Sequence, residues 1–267
     1  MKSKISVALA TFNEEKNIGE CLESVKDLAD EIVVVDGTST DKTVEIARKY
    51  GAKVIVTNNQ PIFHINKQKA IDKCRGDWIL QLDADERVTL ELAKEIKSTI
   101  EQSNNETINA YFIPRKNYFL GHWLRKTGQY PDGVIRFFKK GKAWLPCKSV
   151  HEQMEVEGKV GWLKGHLLHY PYPTFSEYLK KSNRYTTLTA QGMLEKGEQP
   201  SFWGYFWALW QMAKTFLLLF IRHKGFMDGF PGFVFSLYSG LHHISAYVKF
   251  WELYYQKRKI DIKKDWE

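Results

Sequence analysis

A chain of 267 residues is long enough to bury one full α/β core. Its three cysteines, Cys21, Cys74 and Cys147, are odd in number, scattered and without metal-ligand spacing, which points to a reducing compartment rather than a disulfide framework. The net charge of +8 is uneven: residues 1–100 carry 15 Lys/Arg against 17 Asp/Glu, residues 101–267 carry 24 against 14, so an anionic partner is expected at the C-terminal part. Met1–Lys4 leads directly into a strand, and the apolar run there is too short for a secretory signal, which predicts a protein that stays in the cytoplasm.

In chain order, Ile5–Ala10 reads as a short apolar strand, and Ile18, Leu22, Val25 and Leu28 follow Thr11-Phe12-Asn13-Glu14-Glu15 at helical spacing. The β-branched run Ile32–Val35 enters Asp36-Gly37-Thr38-Ser39-Thr40-Asp41, whose polar residues open a helix carrying Val44, Ala47 and Tyr50, with Gly51 at its C-cap. A strand over Lys53–Thr57, a helix over about 64–75 and a strand over Trp78–Leu82 complete an alternation that predicts a parallel sheet with both faces covered. Such sheets bind ligands at the carboxyl ends of their strands, where Thr11, Asp36 and Asp83 all fall. The last strand ends in Asp83-Ala84-Asp85-Glu86, two carboxylates one residue apart that suit a divalent cation and the diphosphate it carries; an acidic turn is the plain alternative.

Three segments, Leu9–Glu15, Val33–Thr43 and Gly76–Glu86, together resemble the inverting glycosyltransferases of family 2. A narrower similarity to bacterial lipopolysaccharide-core glucosyltransferases rests on Phe63–Ala70, Val134–Phe138 with Val150-His151-Glu152, Leu168–Pro171 and Phe226–Phe233. The resemblance implies a GT-A fold, a mostly parallel central sheet flanked by helices, over residues 1–173. Residues 1–100 would hold the nucleotide sugar and 101–173 the acceptor, with a helical membrane-associating region over 174–267. It implies transfer of one sugar, a hexose, with inversion, from a UDP-sugar to a cell-surface glycolipid such as lipopolysaccharide core. Transfer to a polyprenyl phosphate carrier is the alternative, and a noncatalytic nucleotide-binding scaffold the non-transferase one. No Gln-x-x-Arg-Trp motif occurs, unlike in the polymerising members, which favours single transfer. A sugar nucleotidyltransferase would need a glycine-rich loop after the first strand, and Ala10–Glu14 has none.

By resemblance, Mg²⁺ or Mn²⁺ would sit on Asp85, and Asp83 would hold the ribose or share the metal. Asp36 would accept from the uracil N3–H, and Ala10, Thr11, Phe12 and Glu14 would line the base and ribose pocket. Asp36 as a turn cap and Glu14 as a solvated first-turn residue are the alternatives. Lys67 and Lys69 would touch the diphosphate or form a solvated helix face. Inversion needs a base for the acceptor hydroxyl, and Glu152 is the candidate with Asp132 next. His151 and His169 would orient acceptor or diphosphate or be structural, and Arg136 stands on the acceptor side.

Thr174-Phe175-Ser176-Glu177 predicts a capping box and a helix whose Lys180, Lys181 and Arg184 form a basic face, toward a phosphorylated lipid or merely solvated. Between Phe202 and Tyr255 lie 18 of the 38 aromatic residues, interleaved with Arg222, Lys224 and Lys249 and followed by Lys257, Arg258 and Lys259. That composition suits a membrane interface rather than nucleic acid. Phe202–Ile221 is about long enough to span a bilayer, but basic flanks on both sides favour helices lying on the cytoplasmic face of the inner membrane. A buried helical core or an oligomer interface is the remaining reading.

Overall fold

The structure, a computed structural model, describes residues 3–60, 62–102, 108–147 and 153–256. The chain forms two compact units, Met1–Lys116 with Asp132–His169, and Asn117–Pro131 with Tyr170–Glu267.

The first unit opens with the alternation read from the sequence: β1 (Ile5–Thr11), α1 (Ile18–Glu23), β2 (Glu31–Asp36), α2 (Thr43–Lys49), β3 (Lys53–Val56), α3 (His64–Lys73) and β4 (Trp78–Leu82). The strands lie in the order β3-β2-β1-β4, all parallel. Successive residues turn to opposite faces, and both faces are covered. Val7, Leu9, Val34, Leu80 and Leu82 pack on one side with Ile18 and Leu22 of α1, and Ala8, Val33, Val35 and Ile79 pack on the other with Ala70 and Ile71 of α3. Burial on both faces is why these strands are apolar throughout instead of alternating.

Beyond β4 the sheet is mixed. After it come β5 (Glu86–Val88), α4 (Leu90–Gln102), β6 (Ile108–Phe119), β7 (His122–Trp123), β8 (Asp132–Lys139), β9 (Ala143–Trp144), β10 (Glu155–Val156), β11 (Lys159–Trp162) and β12 (Leu167–His169). β8 runs antiparallel to both β4 and β6, and β12 antiparallel to β5. No crossover helix separates β6 from β8, and without one a strand returns antiparallel. The consequence for the site is that β5 sets Glu86 directly opposite His169.

The second unit holds β7 and the helices α5 (Phe175–Glu195), α6 (Phe202–Leu217) and α7 (Gly229–Gln256), with a π turn over Leu218–Arg222 and a 3₁₀ turn over Gly225–Asp228 between the last two. Thr174 caps α5 by accepting from the Glu177 N–H, at 3.2 Å. Gly204 of α6 meets Tyr247 of α7 so closely that a Cβ there would lie 2.4 Å from its hydroxyl oxygen, and that hydroxyl donates to the Ser201 carbonyl at 2.6 Å. α7 is unbroken. Pro231 lies in its first turn, where no helical N–H partner is lost, so the helix runs through it and through His242 and His243. Lys249 points to α5, donating to Asn183 Oδ1 at 2.7 Å and Thr186 Oγ1 at 2.8 Å.

The reading of Phe202–Ile221 as a buried helical core fails for this chain. Ala208 is the one buried residue of α6, while Trp203, Trp207 and Trp210 are 77%, 62% and 60% exposed. Among the described residues, Phe202–Arg222 is the one helical stretch long and apolar enough to cross a membrane, by length and composition.

Candidate active site

The loops that leave the carboxyl ends of β1 and β2 are tied together by the short polar side chains between them, with the end of β3 alongside. Register places Thr11 beside Asp36 and Asp36 beside Val56. The buried Asp36 carboxylate accepts from the Thr11 hydroxyl at 2.9 Å, the Ser39 hydroxyl at 2.6 Å and the Ser39 N–H at 2.8 Å. Asn13, at φ +55°, accepts from the Thr40 N–H at 2.9 Å and donates its own N–H to Ser39 Oγ at 2.8 Å. Asp36 thus caps its turn, the plainer of its two readings, although a carboxylate has about four acceptor sites and only three are in use. Glu14 turns locally, taking the Asn17 side-chain amide at 2.8 Å. Ala10 and Phe12 are half-buried beside Thr11.

At the end of β4 the charges alternate. Asp83 pairs with Lys67 Nζ and Arg136 Nη2, both at 2.5 Å. Arg136 also reaches Glu86 Oε1 at 2.9 Å and donates to Gln81 Oε1. Glu86, fully buried, accepts from the Asp83 N–H at 2.9 Å and from Arg115 Nη1 at 3.2 Å. Arg115 then holds Asp132, with Nη2 and Nε both on Oδ2 at 2.6 and 3.0 Å. Burial pushes the Asp83 carboxyl up, but Arg136 and Lys67 outweigh it and hold it well below the usual carboxylate range. Burial likewise disfavours the charged Arg136, and Asp83 and Glu86 more than restore it. Asp85 has a separate partner: its Oδ2 lies 3.5 Å from His169 Nε2.

Of the residues chosen from the sequence, Asp83, Lys67, Arg136 and Asp132 thus meet in one network, and Asp85 meets His169. The solvated-face reading of Lys67 does not hold, since Lys67 is buried and paired. Lys69 is half-buried and donates to Thr57 Oγ1 at 3.3 Å. Arg184 belongs to the second unit, on α5, where burial lowers its guanidinium to about 10. Glu152 and His151 lie outside the described residues. Glu86, Arg115 and Gln81 were not singled out. Glu86 follows the acidic pair directly, but nothing local distinguishes it from a surface acid.

Among the described residues no three His, Cys, Asp or Glu side chains converge as a metal cage. Mg²⁺ and Mn²⁺ do not require one, since Mg²⁺ is commonly held by one or two carboxylates, water and substrate phosphates. The oxygen of Asp85 and the nitrogen of His169, side by side, fit that role better than Asp83, whose two oxygens already carry cations.

The Glycosyl transferase family 2 model matches residues 6–152. An uncharacterized glycosyltransferase of Rickettsia typhi is 31% identical, over 96% of this chain and 90% of its own. The lipopolysaccharide core biosynthesis glycosyltransferase LpsC of Rhizobium meliloti is 27% identical, over 98% of this chain and 97% of its own. Among solved structures, S. aureus TarS 1–349 in complex with UDP-GlcNAc superposes with a TM-score of 0.50 at 17% identity, over 96% of this chain and 92% of that one; it bears on the fold alone.

Proposed function

The chain belongs to glycosyl transferase family 2, and from that premise we propose that this glycosyltransferase moves one hexose, with inversion, from a UDP-sugar to a membrane glycolipid of the lipopolysaccharide-core class. The observation that carries the reading is the charge cluster at the end of β4, with Asp85 and His169 beside it, adjoining the polar loops of β1 and β2. The similarity to LpsC supports the acceptor class.

In this reading Asp36 takes the uracil N3–H on its remaining acceptor site, and Thr11 and Phe12 border the base. Lys67 and Arg136 keep Asp83 ionised and fixed, so that it meets the ribose without reorganising. Asp85 and His169 would hold the divalent cation, which when bound supplies positive charge to the departing diphosphate. Glu152 takes the acceptor hydroxyl proton. Asp132 is less suited to that role, because Arg115 Nε and Nη2 both donate to its Oδ2. The exposed tryptophans of α6 lie in the cytoplasmic interface of the membrane, as a peripheral attachment.

Calorimetry with UDP and Mn²⁺ tests the donor site. Binding should be abolished by a chelator and weakened at least about tenfold by Asp85→Ala, consistent with loss of a metal-ligand or charge-assisted contact. Unchanged affinity in both cases would remove the assignment.

A further inference from the structure

The run Phe226-Met227-Asp228-Gly229-Phe230-Pro231-Gly232-Phe233 is used by no part of donor binding. Within the second unit it closes a pocket of about 390 Å³ against the segment that follows β7, lined by Trp123, Arg125, Lys126, Tyr130, Met227 and Asp228. The pocket is tightly built. Asp228, 2% exposed, accepts the N–H of Arg125 at 3.2 Å and of Lys126 at 2.8 Å, with His122 Nε2 at 3.5 Å from the same carboxylate. Gly225 sits where a Cβ would be 2.7 Å from Thr127 Cγ2 and 2.8 Å from the Leu219 carbonyl, and the Thr127 N–H donates to the His223 carbonyl at 3.2 Å. The turn and the loop are therefore locked together.

The sole acid of the lining faces backbone N–H groups and an imidazole, which leaves the exposed Arg125 and Lys126 as the charges presented to a ligand. The Arg125 guanidinium lies 5.9 Å from the Trp123 ring centroid, and the Trp123 and Tyr130 rings meet edge-on at 5.3 Å. Two cations beside two aromatic rings suit a compact anion with a larger body attached. The same turn exposes Phe226 and Met227, with Phe230 just beyond, at 52%, 56% and 71%, next to the exposed Arg222 and Lys224. Large apolar and basic side chains on consecutive residues suit a membrane interface.

We propose that this pocket binds the phosphate monoester of a membrane lipid. Arg125 and Lys126 hold the phosphate oxygens, while Phe226, Met227 and Phe230 enter the interfacial layer around it. Asp228 is a positioning residue, acting through the two backbone N–H groups it holds. The inference deepens the membrane-acceptor reading and rests on it for the lipid source of the phosphate.

The test uses the full chain and sedimentation with phosphatidylcholine vesicles carrying either phosphatidic acid or phosphatidylserine, matched in zeta potential. Wild type should prefer phosphatidic acid about tenfold, as extra charge-assisted contacts to a monoester predict. Arg125→Gln with Lys126→Gln should reduce that preference to within about twofold, and Lys140→Gln with Lys196→Gln, two exposed lysines outside the pocket, should leave it intact. Equal binding of the two lipids by wild type, or an equal loss in both double variants, would overturn the proposal. Soluble glycerol phosphate at the lipid concentration should leave most of the protein bound; full displacement would overturn the lipid source. UDP binding measured in parallel separates the two readings. Retained UDP binding without lipid discrimination rejects the pocket alone, whereas discrimination without UDP binding rejects the donor site and supports the pocket.

Discussion

Glu86 is charged and fully buried, whereas Trp203 is large, apolar and 77% exposed; the two units depart from ordinary burial in opposite directions. In the first unit the departure is resolved internally. Lys67, Asp83, Arg136, Glu86, Arg115 and Asp132 alternate in sign, each with an oppositely charged neighbour within 3.2 Å, so charges that would each cost several kcal/mol to bury alone are paired. Among the described residues nothing covers the outward face of α6 in the second unit. Contiguous exposed aromatic surface of that kind marks an interaction with another phase or partner. The first arrangement therefore fixes a site, and the second is the surface that the proposed function assigns to membrane attachment.

The largest effect expected separates residues that hold the cluster from the residue proposed to do chemistry. Glu152→Gln should lower kcat by about 10²- to 10⁴-fold with donor affinity nearly unchanged. Near-normal turnover in a folded variant would move the base to Asp132 or His151. Arg136→Ala should instead act on the fold. It removes a partner of both Asp83 and Glu86, and breaking a buried ion pair from one side costs about 3–5 kcal/mol, or roughly 10 °C in melting temperature for a chain of this size. A loss below about 1 kcal/mol, typical of surface pairs, would mean that the cluster is solvated like an ordinary surface.

The second unit should respond in the reverse sense. Trp207→Ser or Trp210→Ser should leave stability in solution within about 0.5 kcal/mol yet weaken binding to anionic vesicles by about tenfold each, because the area they would bury lies outside the protein. A fall in melting temperature without a fall in vesicle binding would make α6 a structural element after all.

Acid should also distinguish the two regions. Burial lowers His242, helped by His243 and Lys249, and burial lowers His243; the folded state prefers neutral imidazoles, so their contribution is complete above about pH 6.5 and declines below it. For Asp83 burial raises the carboxyl, but Arg136 and Lys67 lower it further. Its contribution is complete above about pH 4 and is lost as pH falls through the depressed folded value. Stability against urea should therefore decline in two windows, and Asp83→Asn should remove only the lower one. A single window near pH 4 would show that the histidines of α7 are not linked to folding.

The parallel part of the sheet was readable because its information is local. Apolar runs four to seven residues long, helical spacing between them and Gly51 after α2 each report on neighbours a few positions away. The same is true of Asp83 and Asp85 at the end of β4, of the Thr174 cap, and of the aromatic and basic composition of residues 202–255. Other features were out of reach for the same reason. Lys67 as a buried partner, Glu86 as the centre of the cluster, and the grouping of Asn117–Pro131 with the C-terminal helices all depend on segments distant in the chain.

What the sequence by itself determined is therefore which elements form in the parallel part of the sheet and which of its strand ends carry acids, since backbone periodicity and capping act over a few residues. Only the tertiary structure decided how those acids are shared out: Asp83 to Lys67 and Arg136, Glu86 to the arginines of β6 and β8, Asp85 to His169. That division depends on the antiparallel return of β8 onto β4 and of β12 onto β5. Charges 16 to 84 residues apart in the chain become neighbours only when the helix and strands that position them pack together, and for Asp83 and Arg136 the attraction of their partners outweighs the cost of leaving water.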